Sequence, residues 1–158
     1  MAIISNLITE EMFEVDIPIC IEVSWHEHQY QSFARGYHVY MDIWTPLVGE
    51  MLKCMHEPSN EVDENAIAIL RTDSLRKESI VGHMPQNISK ICMLFLKVPN
   101  TSITAEVVGE RLNRRGGYGL EINVMYRFHG PEKLINWLGK KIKSIRSDWH
   151  GKVVKCLK

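Results

Sequence analysis

Arg114-Arg115-Gly116-Gly117-Tyr118 is the stretch best equipped to meet a polyanion. Two guanidinium groups can fork onto phosphate oxygens. The glycines let a backbone approach closely, and Tyr118 offers a stacking face. A hairpin tip uses the same residue types simply to turn, so a solvated loop accounts for them equally well. The second constellation is Glu57-Pro58-x-Asn60-x-x-Asp63-x-Asn65-Ala66-Ile67, followed after a loop by Val81-Gly82-His83. Pro58 fixes φ and ends a strand. Asn60 and Asp63 can bond nearby backbone N–H groups and hold a tight turn, and Asn65 can do the same at the start of the next strand. Asp63 and His83 could form an acid–base pair, but nothing beside them in the sequence supplies a nucleophile or a metal.

Other chemistry is thinly represented. His26-x-His28 and Cys54-x-His56 each offer two metal ligands at a spacing that is not diagnostic. Polar loop histidines and a strand thiol are the plainer reading. Cys20, Cys54, Cys92 and Cys156 lie far apart, with no C-x-x-C pair. They read as reduced, mostly buried thiols rather than zinc ligands or a disulfide framework. No phosphate-binding G-x-x-x-x-G-K-[ST] loop, G-x-S-x-G elbow or kinase signature occurs. The expectation is a chain without a cofactor, a metal or catalysis of its own.

These residues must be positioned by a chain of 158 residues, 45% apolar and 24% charged, enough for about one domain. No apolar run approaches the ~20 residues of a membrane span. The start, MAIISNLITEEMFEVD, is acidic where a signal or transit peptide would be basic. A nuclear or cytoplasmic location and no membrane partner are therefore expected. Net charge is zero, yet residues 1–70 hold 2 Lys/Arg against 12 Asp/Glu, while residues 71–158 hold 17 against 7. Such asymmetry suits either a basic surface for a polyanion or two halves that neutralise each other.

Residues 1–34 read as a leader, with a strand at Ile19–Trp25 and a polar turn at His26–Gln31. RGYHVYMDIW is rich in aromatic and β-branched residues and predicts a strand; TPLVGE marks a turn. EMLKCMHE alternates as a half-buried strand, and AIAILRT and IVGHMP read as two more. Ile88, Ile91, Cys92 and Phe95 recur at i, i+3, i+4 and i+7 behind Pro85, which predicts a helix. TSITAEVVGERL and GLEINVMYRF form a hairpin around NRRGGY. Pro131 opens a second helix whose Leu134, Ile135, Leu138, Ile142 and Ile145 make one stripe, opposite Lys133, Lys140, Lys141, Lys143 and Arg146. The fold class expected is α+β: a small twisted β-barrel of about six strands, SH3/OB-like, with an inserted helix and a C-terminal amphipathic helix.

The Glu57–Ile67 block and the Val81-Gly82-His83 strand resemble the HIRAN domain, a small modified barrel found fused to helicases and also alone. In that family the stretch commonly reads R-[DE]-P-x-N-x-x-D-x-N-A-I, then a strand, then [LIV]-G-[HY]-[LIV]. GYHVYMDIWTPLVGE upstream and ITAEVVG downstream fit its layout. The resemblance runs over residues 35–130. It leaves 1–34 as a leader and 131–158 as a basic helix and tail, without counterparts.

The resemblance implies binding of single-stranded DNA or of DNA 3′ ends, without catalysis. Asp63 matches the family aspartate and implies a hydrogen bond to a terminal hydroxyl or an exocyclic amine. His83 matches the family histidine and implies a contact to a phosphate or sugar oxygen. End-binding members carry an aromatic before the aspartate, where this chain has Val62. They carry an Arg-Tyr pair where it has Tyr40-Met41, and a lysine where it has Gln86. Stacking is worth ~1–3 kcal/mol per base, so Tyr37, Tyr40 or Trp44 would have to compensate. Two other functions fit the same barrel. One is a protein-interaction module presenting Glu57, Glu61, Asp63 and Glu64 to a basic partner. The other is a fragment of a helicase or nuclease architecture.

Overall fold

The structure, a computed structural model, describes residues 25–113 and 120–147. Six antiparallel strands form one sheet: β1 Trp25–Ala34, β2 Met51–His56, β3 Ile67–Thr72, β4 Glu78–His83, β5 Ser102–Asn113 and β6 Leu120–Pro131. Their order across the sheet is β1-β6-β5-β2-β3-β4. Among the described residues three helices accompany them: α1 Tyr37–Tyr40, α2 Gln86–Lys97 and α3 Glu132–Ser147.

Alternation decides which face is inside. Tyr30, Ser32 and Ala34 of β1, Leu52 and Cys54 of β2, and Ile122, Val124, Tyr126 and Phe128 of β6 all turn inward. Against that face lie Ile88, Cys92 and Phe95 of α2 and Leu134, Leu138 and Ile142 of α3. Phe95 meets Phe128 edge-on at 5.6 Å. Both helices lie where their apolar periodicity predicts. The hairpin and the half-buried β2 do as well.

Two segments differ from the sequence-based expectation. His26–Gln31, expected as a turn, lies inside β1, which pairs with β6 over ten positions from Trp25↔Pro131 to Ala34↔Ile122. Glu27, Gln29 and Gln31 occupy the outer face of that strand, so its average polarity masks a regular alternation. Residues 35–44, expected as a strand, instead turn at Gly36, whose φ of 83° is left-handed, and enter α1. The aromatic residues there serve packing rather than pleating: Tyr37 and Trp44 meet edge-on at 5.7 Å in the core.

The expected barrel is realised loosely. The sheet does not close into a continuous ladder, but its two ends meet at a single antiparallel bridge between Arg35 and His83. The Arg35 N–H donates to the His83 carbonyl at 2.8 Å, and the His83 N–H returns to Arg35 at 3.0 Å. Gly82 makes this approach possible: a Cβ there would stand 3.1 Å from the Arg35 carbonyl oxygen. The glycine of the V-G-H strand is therefore a closure device.

Candidate functional site

The loop between β2 and β3 is built by its own side chains. Asn60 Oδ1 accepts from the backbone N–H of Val62 and of Asp63, each at 3.0 Å. Asp63 Oδ1 accepts from the Asn65 N–H at 2.9 Å. Backbone bonds from Glu57 to Ala66 and from Ala66 to Asp63 clamp the base of the loop. The pattern is that of nested Asx turns, so Asn60 and Asp63 spend side-chain bonding on the loop itself.

Glu57 ties this loop to β4. Its Oε2 accepts from His83 Nε2 at 2.6 Å and from Asn60 Nδ2 at 3.4 Å. With the carboxylate accepting, Nε2 of His83 is the donor. Nδ1 is then the ring's other hydrogen-bonding atom, an acceptor in the neutral imidazole. The Tyr40 ring lies beside the same histidine, with centroids 6.3 Å apart and planes inclined by 45°. Burial, and then the Glu57 charge, hold the Tyr40 hydroxyl above its ordinary value, keeping it a neutral donor. Arg35 reaches the neighbourhood through its backbone bridge to His83, while its guanidinium pairs with Glu121 at 3.4 Å.

The sequence-predicted residues thus fall into three groups. Tyr40 and His83 come together with the Asp63 loop at the seam where the sheet ends meet. Tyr37 and Trp44 do not join them: they are 4% and 2% exposed. The Tyr37 hydroxyl donates to the Trp44 carbonyl at 3.0 Å, and Trp44 Nε1 donates to Glu50 at 3.0 Å. Their rings are core, and neither offers a face to a base. Arg114, Arg115 and Tyr118 lie outside the described residues. Of the departures from the family pattern, Val62 stands 87% exposed, Met41 is also exposed, and Gln86 is the first residue of α2.

Glu57 is the member that the sequence reading did not place at the site. Its only signal was its position inside the motif, beside Pro58. Chemically the cluster offers a half-exposed ring, an imidazole and two carboxylates. A hydroxyl or an amine suits such a set better than a bare phosphate, because Glu57 and Asp63 would repel the latter. The histidine pairs suspected of metal binding are dispersed. His26 approaches Glu132 at 3.8 Å, His28 lies 6.2 Å from the Phe128 ring, and His56 bonds the Glu64 carbonyl at 2.8 Å. Burial pushes the Cys54 thiol far up, out of the range in which it would ligate readily. Among the described residues no group of three or more His, Cys, Asp or Glu is arranged to hold a metal.

Comparison with known proteins yields a fold. No protein-family model matches the chain, and no curated protein matches it. Two solved structures are similar. One is the crystal structure of the HIRAN domain of human HLTF, with TM-score 0.54 and 16% identity, covering 74% of this chain and 88% of that one. The other is the NMR structure of the HLTF HIRAN domain, with TM-score 0.51 and 16% identity, covering 75% and 88%. The chain therefore has a HIRAN-like α+β fold.

Proposed function

We propose that the chain is a non-catalytic DNA-binding module that takes single-stranded DNA or a DNA 3′ end, and that it works inside the cell. One observation carries the reading. The loop block and the V-G-H strand, separated in sequence, are tied into one site by Glu57 and His83, with Tyr40 alongside. The HIRAN-like fold supports it, because the motif and the fold reach the same domain type by different routes. Tyr40 takes the part of the stacking platform, since Tyr37 and Trp44 are buried. Asp63 holds the loop, and His83 contacts a sugar hydroxyl of the nucleic-acid backbone through Nδ1.

A fluorescence-anisotropy panel of short oligonucleotides with 3′-OH, 3′-phosphate and 5′ ends tests this. Saturable binding of single strands, weakened in Tyr40→Ala at unchanged melting temperature, is expected. Equal binding by Tyr40→Ala and wild type would remove the seam from the DNA site.

A further inference from the structure

Between the left-handed turn at Gly36 and the start of β2 the chain makes a fixed loop with an inverted polarity. Its interior is held by Tyr37 and Trp44, and by a bond from the Leu47 N–H to Glu50. Reciprocal backbone bonds join it to β5, from Gly49 to Val107 and from Val107 to Glu50. Its exterior is apolar: Val39, Met41, Ile43, Leu47 and Val48 are 42–71% exposed. Single exposed apolar residues are ordinary, but five on one loop of ten residues are not. Nor do they hold the fold, since the anchoring is done from inside by other residues. A pre-ordered apolar surface loses little entropy on docking.

The charge around it is mostly acidic: Arg71 reaches the Ile43 carbonyl at 3.4 Å, but its guanidinium pairs with Glu50 at 3.6 Å. From Val39 to Glu64 the chain has six acidic residues and one basic one, Lys53. Lys53 already faces Glu78 at 3.4 Å. Asp42 sits exposed within the loop, and Glu61 and Glu64 are exposed beyond it. We infer that the outer face of residues 39–48 docks a basic amphipathic segment of a partner protein: its apolar side chains meet Leu47, Val48 and Val39, and its Lys or Arg side chains meet Asp42 and the acidic loop. This surface flanks Tyr40 and the acidic loop of the proposed DNA site, but its apolar anchors Leu47 and Val48 belong to neither, and the inference does not rest on DNA binding.

Three synthetic helical peptides of equal length serve as probes for the full chain: Leu/Lys, Leu/Glu and Ser/Lys. The Leu/Lys peptide is expected to bind, with amide shifts confined to residues 39–48 and the acidic loop 57–64, and the other two are not. The double variant Leu47→Ser with Val48→Ser should keep its melting temperature and lose about tenfold in affinity for that peptide. Asp42→Asn should weaken binding and flatten its salt dependence. Equal binding of the Ser/Lys peptide would reduce the effect to bulk charge and overturn the proposal. Unchanged affinity in the double variant, or shifts elsewhere, would do the same. A wild-type dimer in sedimentation that the double variant dissolves would give the face to a second copy instead.

Discussion

Asp63 and His83 stand in one motif but carry different work. The Asp63 carboxylate closes an Asx turn on Asn65, a local bond that the residue types made legible in advance. Asp63→Ala should therefore cost about 1 kcal/mol of stability, as loss of a capping side chain does, measured by urea denaturation. DNA affinity of the folded fraction should persist. A variant of unchanged stability that loses a preference for 3′-OH over 3′-phosphate ends would move Asp63 from scaffold to ligand contact. His83→Ala should weaken all ends alike, because its proposed partner is the nucleic-acid backbone rather than the terminus. The Glu57–His83 contact escaped the sequence reading because 26 residues separate the two, and no local pattern reports a contact across two strands. Tyr37 and Trp44 were misplaced for a related reason. Aromatic residues signal a packed surface, but the sequence does not say whether the ring covers the core or faces a ligand.

The same division holds for whole elements. Both long helices were legible, since apolar residues at i, i+3, i+4 and i+7 share one face of a helix and scatter over both faces of a strand. β1 was obscured by its polar outer face, and α1 by a composition that suits a strand until Gly36 turns the chain. The meeting of β1 with β4 was not legible at all, although Gly82 was in view: only the folded chain shows which backbone passes over it. Gly82→Ala would put a methyl 3.1 Å from the Arg35 carbonyl, and the obstacle is backbone rather than a movable side chain. A loss of about 1–3 kcal/mol is expected, as in overpacked sites, with faster hydrogen exchange at the Arg35 and His83 amides. Unchanged exchange at both would mean that the bridge does not depend on the glycine. On the outer face of the sheet, Arg127 links Glu27 of β1 at 2.8 Å to Glu106 of β5 at 3.0 Å. The Gln29 amide first, and Arg127 with it, hold the Glu27 carboxyl below its ordinary 4.5, against the opposing effect of burial. A depressed folded-state value gives stability that is present above 4.5 and lost as pH falls through the folded value. The melting-temperature gap between wild type and Glu27→Gln should thus be open at neutral pH and close on acidification. A gap that stays constant with pH would assign it to packing.

At the scale of the molecule, the acidic first half and the basic second half are folded into each other. Arg127–Glu27 and Arg71–Glu50 join a cation of residues 71–158 to a carboxylate of residues 1–70, while Lys53–Glu78 and Arg35–Glu121 join the halves the other way round. Self-neutralisation, one of the two meanings open to the charge asymmetry, thus has Arg127 and Arg71 as its contacts in the sheet. Exposed pairs of this kind stabilise little, about 0–1 kcal/mol each, but they withdraw cations from any polyanion. Lys133, Lys140 and Lys143 remain exposed along α3, and the Arg114-Arg115 pair stands at the turn between β5 and β6 in the sequence. Single-stranded DNA should then be held by few phosphate contacts, each adding ~0.7 to the slope of log K against log salt. Arg114→Ala with Arg115→Ala should lower affinity and flatten that slope by about one to two contacts' worth, while Tyr40→Ala should lower affinity and leave the slope alone. An unchanged slope in the double arginine variant would take the hairpin tip out of the interface. The electrostatic part of binding would then fall to the lysines of α3, on the helix that the resemblance leaves without a counterpart.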